Sequence, residues 1–587
     1  MPEMDQTDKA PISGAKRDLP QLPLRFKQWW SVGTVLLLVA MGVVSQATFA
    51  APVIYSDDWS SFIKPMVDGN IPWVDWTSRR PLELALRRLL FDLFGVNLPV
   101  AYIVLGLLIV LAAIQFYFLV LRFFPSKPLI ASVAAGIMLI APVDYTRTWL
   151  TMIHIRLAMC LFLLYASLLH DYIESGRTLS LLGAWLAFGL SLGMYEAQLG
   201  LALAWCVGLV VLYREIGWGR RFAVLSPIGL GLVFMVWRTF GITQAGIADH
   251  YLGEMQLSPG ILVNRLVLGF KVLVWGWTEP LRQIFGFNGN WLPMGMILLS
   301  MGLAGGVAML LDRRAYVGAR SFYGWRQAAE WREVGGLFAA GIVGTVAGYI
   351  PIGLLYEPNL DSLASRVNLF ALTGASLLVV ALLYGAALLV ARTRQQVLRL
   401  VLAGALPLMS IGIATQVLVQ YDIRVAWIEQ KHIWSQLFTL IPNLADDTTV
   451  CFVLNGNQDR VGFVNWKRLP LSSNWELTGA LQVLYGNDTL RGEVLFSDVD
   501  VHDEARLTEE GVIDFWTGFV TPYDRVVFVF YEEESRRLRV LDDLSFVFAG
   551  LPTPSTYDPH ARILDSPTLK VQWRWLVAAS SVTRDGN

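Results

Sequence analysis

The sequence predicts an α-helical polytopic membrane protein of about eleven spans, followed by a soluble C-terminal α/β domain. Three observations carry this. Of 587 residues, 55% are apolar and only 16% charged, a balance far from that of a soluble chain. Apolar runs near the roughly 20 residues needed to cross hydrocarbon recur down to about residue 420. Beyond that point charges and turn residues become frequent, and short β-branched runs alternate with helical ones.

Taken in order, the spans fall near 32–51, 98–121, 128–143, 149–169, 179–194, 196–213, 222–240, 291–311, 334–354, 367–391 and 398–419. The first has no convincing cleavage site and reads as a retained helix after an unordered cytoplasmic tail, residues 1–28. That tail carries Lys9, Lys16, Arg17, Arg25 and Lys27, which places the N-terminus in the cytoplasm. Alternation then puts Arg122 and Lys127, Arg214, Arg220 and Arg221, Arg313 to Arg332, and Arg392 to Arg399 on the same side. Residues 260–278 are apolar but carry Arg265 and Lys271 at their centre. Two cations are expensive in a lipid-facing span, so this segment is expected to be interfacial or re-entrant.

The transmembrane domain is thus 29–420, with a first outer loop at 52–97. An extracytoplasmic α/β domain follows at 421–587, with strands expected at Thr448–Leu454 and Arg525–Phe530. A net charge of −1 gives no basic excess, which argues against a nucleic-acid partner. Cys160 and Cys206 lie in apolar runs and Cys451 in a strand-like run, so neither a disulfide framework nor a cysteine zinc site is expected. There is no phosphate-loop, His-Glu-x-x-His or nucleophile-elbow motif.

The residues best suited to chemistry gather on the outer side. Asp57 and Asp58 follow the first span directly. Two adjacent acids can divide labour, one taking a proton from a nucleophile while the other orients it or shares a metal. The competing reading is a solvated pair helping to cap a helix beginning near Trp59. Residues 59–67 and 81–94 read as short amphipathic helices lying in the headgroup zone. In the second, Leu82, Leu86, Leu89, Leu90 and Leu93 oppose Glu83, Arg87, Arg88 and Asp92. Between them Arg79 and Arg80 suit a phosphate held by bidentate hydrogen bonds, or plain headgroup anchoring. His154 and Arg156 fall one to two turns inside the fourth span, Glu196 opens the sixth, and Arg238 closes the seventh. Glu357 and Arg366 bracket the last short outer loop. Intramembrane ionisable groups usually face the bundle interior and mark function. For Arg366 the plain alternative is snorkelling, and for Arg156 a structural pair with an acid such as Glu196.

This pattern resembles the GT-C superfamily of polytopic glycosyltransferases, which includes protein O-mannosyltransferases and the aminoarabinose transferases of lipid A. The matching features are the acid pair after the first span, the Arg80-Pro81-Leu82 step in the same loop, the acid Glu196 at an outer turn, and the extracytoplasmic C-terminal domain. The resemblance covers residues 30–420. The stretches 434–442 and 481–485 are similar to outer domains that follow such cores. It implies a sugar donor on a polyprenyl phosphate and a glycan, lipid or protein acceptor. Asp57 or Asp58 would be the base of an inverting transfer, with Arg79, Arg80, Arg366, Arg156, His154 and Glu196 as donor or substrate contacts. It also implies a bacterial inner membrane. The chain departs from the oligosaccharyltransferases: it has no Trp-Trp-Asp tract, and its acids are adjacent instead of Asp-x-Asp. Two acids without a third outer ligand make a thin metal site. No cofactor is therefore assigned, and a divalent ion stays an open alternative. Other classes sharing the lipid-linked ligand are a transporter or flippase, and a surface-polysaccharide polymerase or ligase.

Overall fold

The computed structural model describes residues 24–46, 53–241, 258–286, 325–454, 471–496, 505–546, 553–565 and 577, less a few positions inside these ranges, 76–79 among them. Helix α1 (Leu24–Ser45) begins inside the expected unordered tail, whose residues 1–23 lie outside the described chain. A π-helical turn (Asp58–Ile63) runs into α2 (Lys64–Asp68), followed by α3 (Ala85–Phe94), α4 (Leu98–Phe123) and α5 (Pro128–Ile140). Two 3-10 turns, Tyr145–Thr148 and Leu150–Met152, lead into α6 (Ile153–Ser175), α7 (Thr178–Met194), α8 (Leu199–Leu212) and α9 (Trp218–Gly241). Then come α10 (Pro259–Gly286), α11 (Trp325–Gly353), a 3-10 segment (Ser362–Asn368), α12 (Ala371–Val390) and α13 (Arg394–Leu440).

Among the described residues, eight helices are long and apolar enough to cross a membrane, and α5, α7 and α8 are shorter apolar helices packed among them. The expected span at 291–311 lies outside the described residues. The segment at 260–278, expected at the surface, lies within α10 and has the length and composition of a span. Arg265 is accommodated there by donating to the Gly353 carbonyl at 2.9 Å, a group left open at the end of α11. Boundaries follow local chemistry. Asn97 accepts from Val100 N to cap α4, with Pro99 in its first turn. Thr393 and Gln396 form a capping box at the start of α13. Close approach of α11 and α12 depends on glycine: a Cβ on Gly374 would sit 2.1 Å from Thr345 N and 2.4 Å from Gly344 C.

Helix α13 runs 47 residues, about 70 Å at 1.5 Å per residue. The change in composition near 420 therefore falls inside a helix and not at a linker. The same helix that lines the bundle goes on to form a floor for the C-terminal domain. That domain contains β1 (Asn443–Leu444), β2 (Thr449–Leu454), α14 (Asn474–Tyr485), β3 (Arg491–Phe496), β4 (Ala505–Leu507), β5 (Gly511–Asp514), β6 (Val520–Pro522), β7 (Val526–Glu532), β8 (Arg537–Val540) and β9 (Ile563–Leu564). The main sheet has the order β3-β2-β7-β8. β2 is parallel to both β3 and β7, and β8 is antiparallel at the edge. The two runs read as strands from sequence are its centre, with every β2 residue buried, as sheets covered on both faces require. β4-β5-β6 form a small antiparallel sheet, and β1 pairs with β9.

The domain docks on the first loop. A Cβ on Gly479 of α14 would lie 2.7 Å from the Ser60 Cα, so this helix seats directly on the π-helical turn. Trp59 packs against Trp427 and Trp434 of α13, with ring centroids 6.1 and 6.3 Å apart. Its indole donates to Gln430 Oε1 at 3.2 Å, and Gln430 in turn donates to Glu476 at 2.8 Å.

Candidate functional site

The π-helical turn separates its two acids. Asp58 is wholly buried. Its Oδ1 accepts from Thr151 N at 2.7 Å and its Oδ2 from Tyr55 N at 3.4 Å. Burial pushes its carboxyl up to about 7, against the lowering effect of those amides and with a small further rise from Asp57. Asp57 is only partly buried, and its Oδ1 accepts from the Trp475 indole of α14 at 2.6 Å. The Asp57 side chain, at the N-cap position, makes no capping hydrogen bond to the turn.

Thr151 ties the acid pair to its surroundings. Its hydroxyl donates to Asp57 O at 3.1 Å. Its carbonyl accepts from Arg87 Nη2 at 3.1 Å and lies 2.9 Å from His154 Nδ1. Arg87 also donates to the Ser61 carbonyl and, at 3.2 Å, to Glu83. The face of 81–94 expected to meet water is thus partly turned inward. Arg87 is buried, while Leu89 and Leu93 are exposed. Helix α3 also starts only at Ala85, because 80–84 are held as turns: Leu82 N donates to Gly193 O at 2.9 Å, outside any helical ladder.

Glu83 continues the chain of contacts. His154 Nε2 is 3.9 Å from its carboxylate. Beyond it, Arg80 stacks 4.4 Å over the Tyr195 ring and meets Glu196 through Nε at 3.0 Å and Nη2 at 3.3 Å. Arg238 donates to the same carboxylate at 3.0 Å. Burial alone would raise Glu196, but the two guanidinium groups outweigh it and hold the carboxyl at about 2. Tyr195 stacks on Phe370 with centroids 5.9 Å apart, and Arg366 lies 5.8 Å over the Tyr356 ring. Arg80, His154, Glu196 and Arg366 are thus gathered with the acid pair around one end of the bundle. Arg79 lies outside the described residues.

Arg156 goes elsewhere. Its acid is Asp144 at 2.6 Å and not Glu196, which Arg80 and Arg238 occupy. Asp144 belongs to the short chain between α5 and α6, close enough for the first turn of α6 to reach it. The residues that sequence reasoning passed over are Arg87 and Thr151, whose roles rest on backbone carbonyls and amides, and Trp475, 418 positions from its partner. Among the described residues, no group of three or more His, Cys, Asp or Glu side chains is arranged to hold a metal ion.

No family model matches the sequence, and no curated protein matches it. Eight solved chains match its fold. One is ArnT from Cupriavidus metallidurans, crystallised with undecaprenyl phosphate: it is 14% identical over 77% of this chain and 88% of that one, with a TM-score of 0.35.

Proposed function

We propose that the protein is a membrane glycosyltransferase of the GT-C kind. It would move a sugar from a polyprenyl-phosphate-linked donor to an acceptor hydroxyl on the outer face of a bacterial inner membrane. The observation that carries this reading is the convergence of a partly exposed acid, Asp57, and three guanidinium groups, Arg80, Arg238 and Arg366, at one end of a spanning bundle. A base must reach its proton, and Asp57 is the accessible member of the pair. Asp58, enclosed and bonded to backbone amides, anchors the turn that presents it.

In this mechanism Asp57 takes the proton of the acceptor hydroxyl as its oxygen attacks the anomeric carbon. The bond from that carbon to the phosphate oxygen breaks on the opposite face, inverting the centre. The electron pair leaves with polyprenyl phosphate. Arginines near the departing group meet its negative charge, the kind of fixed electrostatic support that lowers barriers most in sites shielded from water. Arg80 and Arg238 share the Glu196 carboxylate, which holds both guanidinium groups at this end of the bundle. The C-terminal domain meets this end through Trp475 of α14, which donates to Asp57.

The test is a panel of radiolabelled polyprenyl-phosphate monosaccharides offered to the purified protein in detergent, then in vesicles. Consumption of one donor with release of free polyprenyl phosphate supports the reading. Movement of intact lipid-linked sugar between leaflets, with no release, replaces it with a transporter. Chain extension of a lipid-linked glycan points to a polymerase.

A further inference from the structure

The chain between α5 and α6 dips into the bundle. α5 has 13 residues, about 20 Å at 1.5 Å per residue, short of the roughly 30 Å of hydrocarbon. Residues 141–156 that follow it are buried without interruption. Three charged side chains sit in this stretch, Asp144, Arg147 and Arg156, each under 5% exposed.

Their charges do not balance. Asp144 is fully engaged: Oδ2 accepts from Arg156 Nη1 at 2.6 Å, and Oδ1 accepts from Thr146 N at 3.1 Å and Thr146 Oγ1 at 2.7 Å. Arg147 has only a neutral partner. The Gln46 amide, oriented with its oxygen toward the guanidinium, accepts from Nε at 3.3 Å and Nη2 at 3.2 Å. Among the described residues, no carboxylate lies within ion-pair distance of Arg147. Two buried guanidinium groups therefore stand against one carboxylate, which only Arg156 bonds. A guanidinium holds its proton under nearly all conditions, and an uncompensated buried charge is strongly destabilising.

All three side chains line one cavity of about 30 Å³, whose remaining walls include Leu108, Ile109, Met138, Leu139 and Met159. A water-sized probe needs about 10–15 Å³ of such volume. The space suits a monatomic ion with a water, and is too small for a phosphate ester with its substituents. We propose that this cavity is a halide site, in which Arg147 and Arg156 together hold one monovalent anion of chloride size. The anion supplies the missing negative charge. It also braces the segment that carries Thr151, whose amide bonds Asp58, so halide occupancy and the order of the acid-bearing turn are linked.

The experiment is thermal unfolding of the full-length protein in detergent, in sodium chloride, sodium bromide, sodium phosphate or sodium gluconate at matched ionic strength. Both halides should raise the midpoint by several degrees in a saturable way, while phosphate and gluconate do not. Arg147→Met, which removes the excess charge and keeps the volume, should melt in gluconate no lower than wild type and show no halide dependence. Equilibrium dialysis with radiolabelled chloride gives a second readout, one site per chain in wild type and none in the variant. Identical melting in chloride and gluconate would overturn the proposal, as would a halide effect that survives Arg147→Met. Stabilisation by phosphate without halide would overturn the size argument and make the ligand a phosphoryl group.

Discussion

Two clusters in this protein each set a pair of arginines around an acid, in opposite surroundings. At the rim, Arg80 and Arg238 both bond Glu196, and all three side chains keep some exposure, 22%, 13% and 12%. In the depth, only Arg156 bonds Asp144, while Arg147 turns to a neutral amide and nothing is exposed beyond 5%. The rim cluster keeps its two guanidinium groups within reach of water. The deep cluster has no such outlet and needs its surplus met where it lies. Ion count alone says nothing about role; access to solvent decides whether excess charge is a reagent or a structural debt.

The sharpest way to break that comparison is to remove each acid. Asp144→Asn would leave two buried guanidinium groups without any carboxylate and should cost about 3–5 kcal/mol, read by denaturant or thermal unfolding, with stronger dependence on halide than wild type. Asp58→Asn tests the other buried acid. Folding favours the protonated form of Asp58, because its carboxyl is raised to about 7. Its contribution to stability is therefore largest below the ordinary carboxylate range and is lost as pH rises toward 7. At roughly 1.4 kcal/mol per pH unit this slope amounts to at most about 4 kcal/mol. Melts at pH 5 and pH 8 should show it in wild type and not in Asp58→Asn. Equal slopes in both proteins would place the pH dependence elsewhere.

Glu196→Gln should cost less, about 1–3 kcal/mol, since Arg80 and Arg238 remain partly solvated. Its larger effect should be on the donor KM, as the arginines lose the carboxylate that aims them. The smallest expected change is Trp475→Phe, which deletes one hydrogen bond to Asp57 and leaves the ring. A loss of about 1.4 kcal/mol in the transition state is tenfold in rate, to be seen in kcat with KM little altered.

These contacts also show what the chain reveals before it folds. The strands β2 and β7 were legible because continuous β-branched and aromatic runs suit a strand covered on both faces. The position of the acid pair beyond the first long helix was legible because it follows an apolar run so closely. The eventual partners were not. Glu196 finds Arg80 across 116 residues, and which of several outer arginines it meets depends on how the turns at 80–84 seat against the end of α7, where Leu82 N donates to Gly193 O. Arg156 pairs with an acid twelve residues upstream because the intervening 3-10 turns fold that loop back over the start of α6. Local periodicity carries no record of such a turn. The continuity of α13 past residue 420 was hidden for another reason: Asp422, Arg424 and Glu429 change its surroundings and not its helical period.

The most direct test of the central claim is the rate of sugar transfer from an accepted polyprenyl-phosphate donor, measured for Asp57→Asn and Asp58→Asn variants that retain a cooperative melt. The expected result is that Asp57→Asn lowers kcat by at least about 10²–10⁴-fold, the usual contribution of a positioned base, with donor binding kept, while Asp58→Asn turns over measurably. Full activity in Asp57→Asn would contradict the account, since no base would then be required at the site where the acid, the arginines and the C-terminal domain meet.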